Sequence, residues 1–326
     1  MLRVALIGYG LAGAAFHGPA IAATPGIEVA GVVTRDPERA ARARSDHPGA
    51  RVLDDAAQVF ADPSRHDLVV VAAPNRAHVD LALAALEAGL PVVVDKPLAA
   101  TAADGRRVRD AAEARGLMAT VFHNRRWDGD FLTLRRLVSE GALGEVWRLE
   151  SRFERWRPQV RDDWHQDDPA GGVLHDLGTH LIDQALVLLG PVRGVHAEVA
   201  VRRPGARRED DAFLALIHAS GAVSHLWVSA TSALPGPRLR ALGSGAGFEK
   251  HGMDPQEARL RGAGPEPRER AVLGAGDDVR PVAVDPGDYP AFYAGVVAAL
   301  RDGAPPPVAL DDAIAGLEIV DQALER

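Results

Sequence analysis

The first 122 residues alternate short apolar runs with segments of helical pattern. Leu2–Ile7, Ile27–Thr34, Leu68–Ala72, Pro91–Val94 and Leu117–Phe122 show almost no polar alternation, as strands buried on both faces do. Between them, Gly13–Ala23 and Arg76–Ala88 read as helices, the second stopped by Gly89. Asp36-Pro37-Glu38 starts another, with Asp36 as N-cap and Pro37 in the first turn. Apolar strands separated by helices predict a doubly wound parallel sheet covered on both faces.

Beyond residue 122 the period changes. Phe131–Glu140 is helical, Glu145–Trp156 alternates, and a loop rich in Trp, Asp and Pro runs from Trp156 to Gly171. Gly172–Leu189 is one strong helix. Val192–Arg202, Asp211–His218, Val223–Thr231 and Arg238–Ser244 then alternate as successive strands, and Asp288–Leu300 and Asp311–Glu325 close the chain as helices. This pattern predicts an α+β region with a mostly antiparallel open sheet, and the expected boundary lies between residues 122 and 123. The 261–281 stretch, rich in Gly, Pro and charge, receives no assignment.

A length of 326 residues fits two domains, and 47% hydrophobic with 25% charged residues is an ordinary globular composition. The net charge of −8 supplies no basic field for nucleic acid or anionic lipid. Arg202-Arg203 and Arg207-Arg208 run into Glu209, Asp210 and Asp211 and read as a solvated loop. Zero cysteine removes disulfides, thiolate zinc sites and cysteine nucleophiles together. No apolar run approaches the ~18 residues of a membrane span. The start of the chain loosely imitates a signal peptide, but with one charge, Arg3, and with Gly8, Gly10 and Gly13 interrupting its apolar run. A cytoplasmic protein with neither a membrane nor a nucleic-acid partner is expected. Only Lys96 and Lys250 are lysines among 37 basic residues. Where arginine serves for charge in general, a retained lysine hints at work that needs a compact, titratable ammonium.

Gly8-Tyr9-Gly10-Leu11-Ala12-Gly13 is a G-x-G-x-x-G sequence that follows a strand and opens a helix, the context in which it binds a dinucleotide. Gly8 permits the tight turn, Gly10 lets backbone amides (with Leu11 and Ala12) approach a pyrophosphate, and Gly13 allows close helix–strand packing. Thr34-Arg35 stands at the end of the second strand, where an acid would hold a ribose 2′-OH. A hydroxyl beside a guanidinium suits a 2′-phosphate, so NADP is the expected cofactor. The alternative makes Arg35 a surface residue, with Asp36 reaching the ribose of NAD. Ala73, Pro74, Asn75 and His78 follow the fourth strand, on the crevice side of such a sheet. Asn75 would equally serve as a cap for the next helix.

Asp95-Lys96-Pro97 ends the fifth strand, also at the crevice. In the second half, Asp176 and His180 are spaced i, i+4 on the 172–189 helix, with Gln184 extending the stripe and Leu177, Leu181, Ala185 and Leu188 forming an apolar face. A carboxylate and an imidazole on such a helix are costly to bury without partners, and histidine titrates where an acid/base group should. His123, His165 and His175 show no spacing that compels a metal.

Together, GYGLAG, DKP at Asp95–Pro97 and GG-x-L-x-D-x-G-x-H at Gly171–His180 resemble the glucose–fructose oxidoreductase/inositol dehydrogenase family, Gfo/Idh/MocA. The segment 121–128 (VFHNRRWD), with His180-Leu181-Ile182-Asp183-Gln184, is most similar to its NADP-dependent scyllo-inositol dehydrogenase-like branch. Gly287-Asp288-Tyr289 and Phe292-Tyr293 extend the likeness to the end. The resemblance implies a Rossmann domain over 1–122 that binds the dinucleotide. It implies a substrate-binding and oligomerisation domain over 123–326, an open sheet often used as a dimer face, and reversible oxidation of a sugar or cyclitol hydroxyl. It maps the family's catalytic lysine, aspartate and histidine onto Lys96, Asp176 and His180. Asp95 stands where the family usually has glutamate, and Asp95, Lys96 and Asn124 join the cofactor set.

The expected mechanism has His180 take the hydroxyl proton while hydride leaves the same carbon, Lys96 orient the oxygen and Asp176 position the substrate. Asn124, Arg157 and Trp164, with Trp156, are expected to line the substrate with those three. A homodimer or homotetramer is expected. Two other classes stay open: a non-catalytic dinucleotide and sugar sensor, and a hydrolase using the nicotinamide transiently to cleave a glycoside.

Overall fold

The computed structural model describes residues 1–160, 166–260 and 270–325. Contacts divide the chain into two units, Met1–Asn124 with Tyr289–Ala315, and Arg125–Asp288 with Gly316–Arg326. In the first, six parallel strands are β1 (Leu2–Ile7), β2 (Ile27–Val33), β3 (Arg51–Leu53), β4 (Leu68–Val71), β5 (Val92–Asp95) and β6 (Ala119–Phe122). They lie in the order β3-β2-β1-β4-β5-β6, the doubly wound order of dinucleotide-binding sheets. The central strands read as continuous apolar runs because both faces are covered: Leu68–Val71 and Val92–Val94 have no exposed surface.

Helices α1 (Gly18–Ala22), α2 (Pro37–Asp46), α3 (Ala57–Ala61), α4 (His78–Glu87) and α5 (Ala102–Arg115) alternate with the strands. As expected, Asp36 caps α2, accepting hydrogen bonds from the amides of Glu38 at 2.9 Å and Arg39 at 3.0 Å. The sequence reading assigned no residues to β3 or α5. Thr101 caps α5 by accepting the Asp104 amide, and Gly116, at φ +61°, ends it.

The second unit opens with α6 (Gly129–Ser139) and is built on β7 (Val146–Glu154). A π turn at Leu174–Gly178 leads into α7 (Thr179–Leu189), followed by β8 (Val192–Ala200), β9 (Asp211–His218), β10 (Val223–Ser229), β11 (Leu239–Gly243) and β12 (Gly247–His251). After α8 (Pro255–Leu260), β13 (Arg270–Ala275) and β14 (Asp278–Pro281) complete an eight-stranded sheet, ordered β14-β13-β12-β11-β7-β10-β9-β8. Among the described residues of this sheet, only β7 and β10 pair in parallel. Leu149, Phe153, Leu214 and Leu226 on the inner face form one core with Leu177, Leu181 and Ile182 of the helix. Phe213, His225 and Trp227 stack on the outer face.

The chain then forms α9 (Pro290–Asp302) and α10 (Leu310–Leu324). The sequence placed all of 123–326 in one domain, yet Tyr289–Ala315 clusters with the first unit. The reason is aromatic: Phe292 and Tyr293 pack on Phe122, and Tyr289 on Phe16. The arginine run is also less solvated than expected, since Arg203 donates to Asp210 at 2.9 Å and Asp210 is fully buried. Among the described residues no helix is long and apolar enough to cross a membrane.

Candidate active site

In the first unit the glycine turn has the geometry its motif demands. Gly8 adopts φ +99°, and a Cβ there would lie 2.4 Å from the Ala72 carbonyl oxygen. A Cβ on Gly13 would lie 2.1 Å from the Gly8 oxygen, so these two positions accept no side chain. At Gly10 the nearest atom to a built Cβ is Arg39 Nη1, at 3.6 Å. That open side is where a pyrophosphate would approach the amides, and Leu11, 56% exposed, stands at the tip. Tyr9 is buried and donates to Asp46 at 2.8 Å, pinning the turn to the end of α2. Burial, with Asp46 beside it, pushes this phenol well up. The expected helix Gly13–Ala23 begins as a π turn, Gly13–His17, closed by the Gly18 amide on the Gly13 carbonyl.

Thr34 is buried and its hydroxyl accepts the Asp36 amide at 3.3 Å, while Arg35 is exposed and donates to Asp55 at 2.6 Å. Arg39, beside Gly10, is a candidate the sequence reading missed; its place three residues beyond the cap was the available signal. Asn75 opens a short turn, Asn75–Ala77, and does not cap α4, whose N-cap is Ala77. His78 is buried, with Nδ1 2.8 Å from the Pro97 carbonyl and Nε2 2.9 Å from the Ala73 carbonyl. A neutral ring donates to one of them at a time, so His78 holds together the loops after β4 and β5. Lys96 is half-buried directly after β5, and its amide donates to Asp95 at 2.9 Å. Asn124 is buried just past β6.

In the second unit, Gly172 makes room for Glu209: a Cβ there would overlap the carboxylate, which accepts the Leu174 amide at 3.3 Å. Burial raises this carboxyl above its ordinary range. The helix expected over Gly172–Leu189 is not uniform. The Thr179 amide donates to the Leu174 carbonyl across the π turn, which inserts one residue into the register. Asp176, partly exposed, lies in that turn and His180, 4% exposed, in α7, so the pair does not stand on a regular i, i+4 stripe. Both helices expected to carry function therefore start with a π turn, a feature frequent at functional sites.

Gln184 does not extend a substrate-facing stripe. It donates to the Arg125 carbonyl at 2.8 Å and accepts from Arg238 at 3.2 Å, while Asp183 takes Arg126 in a two-point ion pair. Arg157 is exposed on the loop, and Trp164 and His165 lie outside the described residues. Arg155 is a further residue the sequence reading missed. Burial, with Arg157 beside it, pushes its guanidinium down to about 10, against the pull of Glu257 and Asp176. Glu257 is its ion-pair partner, at 4.0 Å.

Lys250, singled out with Lys96, has a structural place. It is fully buried, donates to the Gly252 carbonyl at 2.7 Å and lies 3.7 Å from Asp130, which is 3.7 Å from Arg238 as well. Nearby, burial pushes Asp128 up to about 7 against the pull of Arg125, with Asp130 and Asp254 adding to the rise.

A family model described as an oxidoreductase family with an NAD-binding Rossmann fold matches residues 2–123. A second, the GFO/IDH/MocA C-terminal domain, matches 131–249. The chain is 39% identical to the uncharacterized oxidoreductase YdgJ of Escherichia coli K12, over 99% of this chain and 96% of that one. It is 32% identical to the scyllo-inositol 2-dehydrogenase (NADP+) IolW of Bacillus subtilis 168, over 99% of this chain and 93% of that one. The solved structure of YvaA from Bacillus subtilis matches with a TM-score of 0.90 at 32% identity, covering 100% of this chain and 95% of that one.

Proposed function

The chain belongs to the Gfo/Idh/MocA family of NAD(P)-dependent oxidoreductases, and from that premise we propose that it prefers NADP and oxidises or reduces a sugar or cyclitol. The substrate reading rests above all on the likeness, along nearly the whole chain, to a relative named as an NADP-dependent scyllo-inositol dehydrogenase. The cofactor reading rests on Thr34 and Arg35 in place of an acid, with Arg39 beside Gly10. Arg35 is paired with Asp55, but both side chains are exposed, and a solvent-screened pair of this kind adds little. A 2′-phosphate therefore competes for the guanidinium at little cost. Arg35→Ala is expected to weaken NADP binding far more than NAD binding, by about 1.5–3 kcal/mol for each charge-assisted hydrogen bond lost. Fluorescence titration of both cofactors checks it, and equal losses would contradict the assignment.

When bound, the nicotinamide supplies the hydride acceptor or donor. The chain supplies proton handling and orientation. We assign the uptake of the hydroxyl proton to His180, the orientation of the oxygen and stabilisation of its developing charge to Lys96, and the placing of the substrate to Asp176. Asn124, Arg157 and Trp164 are proposed as further substrate contacts. The cysteine-free sequence supports a cytoplasmic location.

We further propose a homodimer, or a tetramer built from it, through the outer face of the second sheet. Leu226 and Val228 of β10 point into the core, whereas Trp227 stacks outside under the Arg152 guanidinium at 3.8 Å. Trp147 and Ile217 are more than two-fifths exposed, an apolar content that association would cover. Sedimentation velocity at micromolar concentration is expected to give a dimer or larger, and a monomer would remove the idea.

A further inference from the structure

His17 has no part in the mechanism above, yet it is fully buried in the turn that follows the glycine motif. Its Nδ1 lies 2.6 Å from the Tyr293 hydroxyl of α9, and its Nε2 lies 3.6 Å from Asp95 Oδ1 at the end of β5. The ring stacks on Phe122 at 4.2 Å, and Phe122 is the β6 partner of Asp95. The same Asp95 oxygen accepts the Lys96 amide at 2.9 Å. Tyr293, His17, Asp95 and the Lys96 backbone thus form one chain of contacts inside the first unit. Burial holds the Tyr293 phenol well above its ordinary range, so the hydroxyl keeps its proton and donates to Nδ1 in the tautomer that leaves this nitrogen bare. In that tautomer the ring proton sits on Nε2, 3.6 Å from Asp95 Oδ1 and beyond hydrogen-bond length.

We propose that His17, fixed by Tyr293, is a positioning residue for Lys96: it holds the Asp95 carboxylate, which anchors the backbone from which Lys96 reaches. The value of this to catalysis rests on the reading of Lys96 given above, whereas the contact itself does not. The charged and titratable groups around Asp95 are His17 from the π turn, Lys96 beside it, His78 from α4 and Tyr293 from α9. Burial acts to raise Asp95, and His17, Lys96 and His78 outweigh it and hold the carboxyl below its ordinary range. With His17 replaced by an apolar side chain, burial loses an opponent and Asp95 titrates upward. Below that point Asp95 is protonated and its hold on the Lys96 amide weakens.

The two lysines make the test direct. Protein labelled with 13Cε-lysine gives two signals, from Lys96 and Lys250, assigned with Lys96→Arg. In the wild type, Asp95 stays ionised between about pH 5 and 8, and its titration leaves no step on the Lys96 signal in that range. In His17→Leu a step displaced to higher pH than in the wild type is expected on Lys96 and not on Lys250. Tyr293→Phe, which keeps the ring packing and frees Nδ1, should give a smaller step and serves if His17→Leu does not fold. In parallel, kcat should fall about 10- to 100-fold in His17→Leu with the KM for NADP nearly unchanged. His17→Gln, which can still present an N–H to Asp95, should recover much of the loss. No displaced step on Lys96 in a folded His17→Leu, or in Tyr293→Phe where the first does not fold, would overturn the proposal. A step together with normal turnover by Lys96→Arg would instead keep the contact and remove the catalytic reading of Lys96.

Discussion

Replacing His180 by alanine is expected to lower kcat by on the order of 10²–10⁴, the usual contribution of a positioned acid/base group. The histidine is 4% exposed in the first turn of α7, where alanine is the best helix former, so the helix persists. The loss should fall on turnover and leave NADP binding near the wild-type value, because the glycine turn and Thr34–Arg35 belong to the other unit. Lys96→Arg is the companion experiment. It keeps the positive charge but exchanges a compact ammonium for a broad fork that is never deprotonated at ordinary pH. It should cripple turnover with NADP affinity retained. The checks are kcat on a confirmed substrate and a fluorescence titration of NADP. Variants that bind NADP and turn over at wild-type rates would show that Lys96 and His180 do no chemistry.

Lys250→Met is expected to cost about 3–5 kcal/mol of stability, the range for breaking a buried charge pair by removing one partner. Lys250 and Asp130 are both fully buried, and Arg238 is 3% exposed. Without Lys250, Asp130 is left in the interior with Arg238, at 3.7 Å, as its cation among the described residues. Methionine fills much the same volume, so the loss reflects charge more than a cavity. Asp130→Leu added to Lys250→Met should recover part of it, because the uncompensated carboxylate is then gone. Urea unfolding checks both; a single variant within about 1 kcal/mol of wild type would place the pair among those of little net worth.

The sequence made the layer order legible because buried parallel strands leave uninterrupted apolar runs, as at Leu68–Val71 and Val92–Val94. It failed where that signal is weak. β3 has three residues at a sheet edge, and the buried positions of α5 are Ala102, Gly105, Val108 and Ala112, too small to draw an apolar stripe. β13 and β14 are short, and β14 is wholly exposed. The catalytic candidates were legible by residue type and motif, but their setting was not. A π turn adds one residue to a helix without changing its composition, so Asp176 and His180 looked evenly spaced on a single helix. Lys250 was scarce for the same reason as Lys96 and yet packs in the interior, since rarity does not distinguish a chemical lysine from a buried one. Nor could chain order reveal that the aromatic positions of α9 belong with Phe16 and Phe122.

The most direct test is a cofactor-reduction screen: purified protein, a panel of polyols and aldoses, and NADP and NAD in parallel at equal concentration. The absorbance of reduced nicotinamide is the readout. At least one cyclitol or sugar is expected to reduce NADP, faster than it reduces NAD, with the signal lost in His180→Ala. A folded protein that binds NADP but reduces neither cofactor with any member of the panel would contradict the sugar or cyclitol assignment, and faster reduction of NAD would contradict the NADP preference.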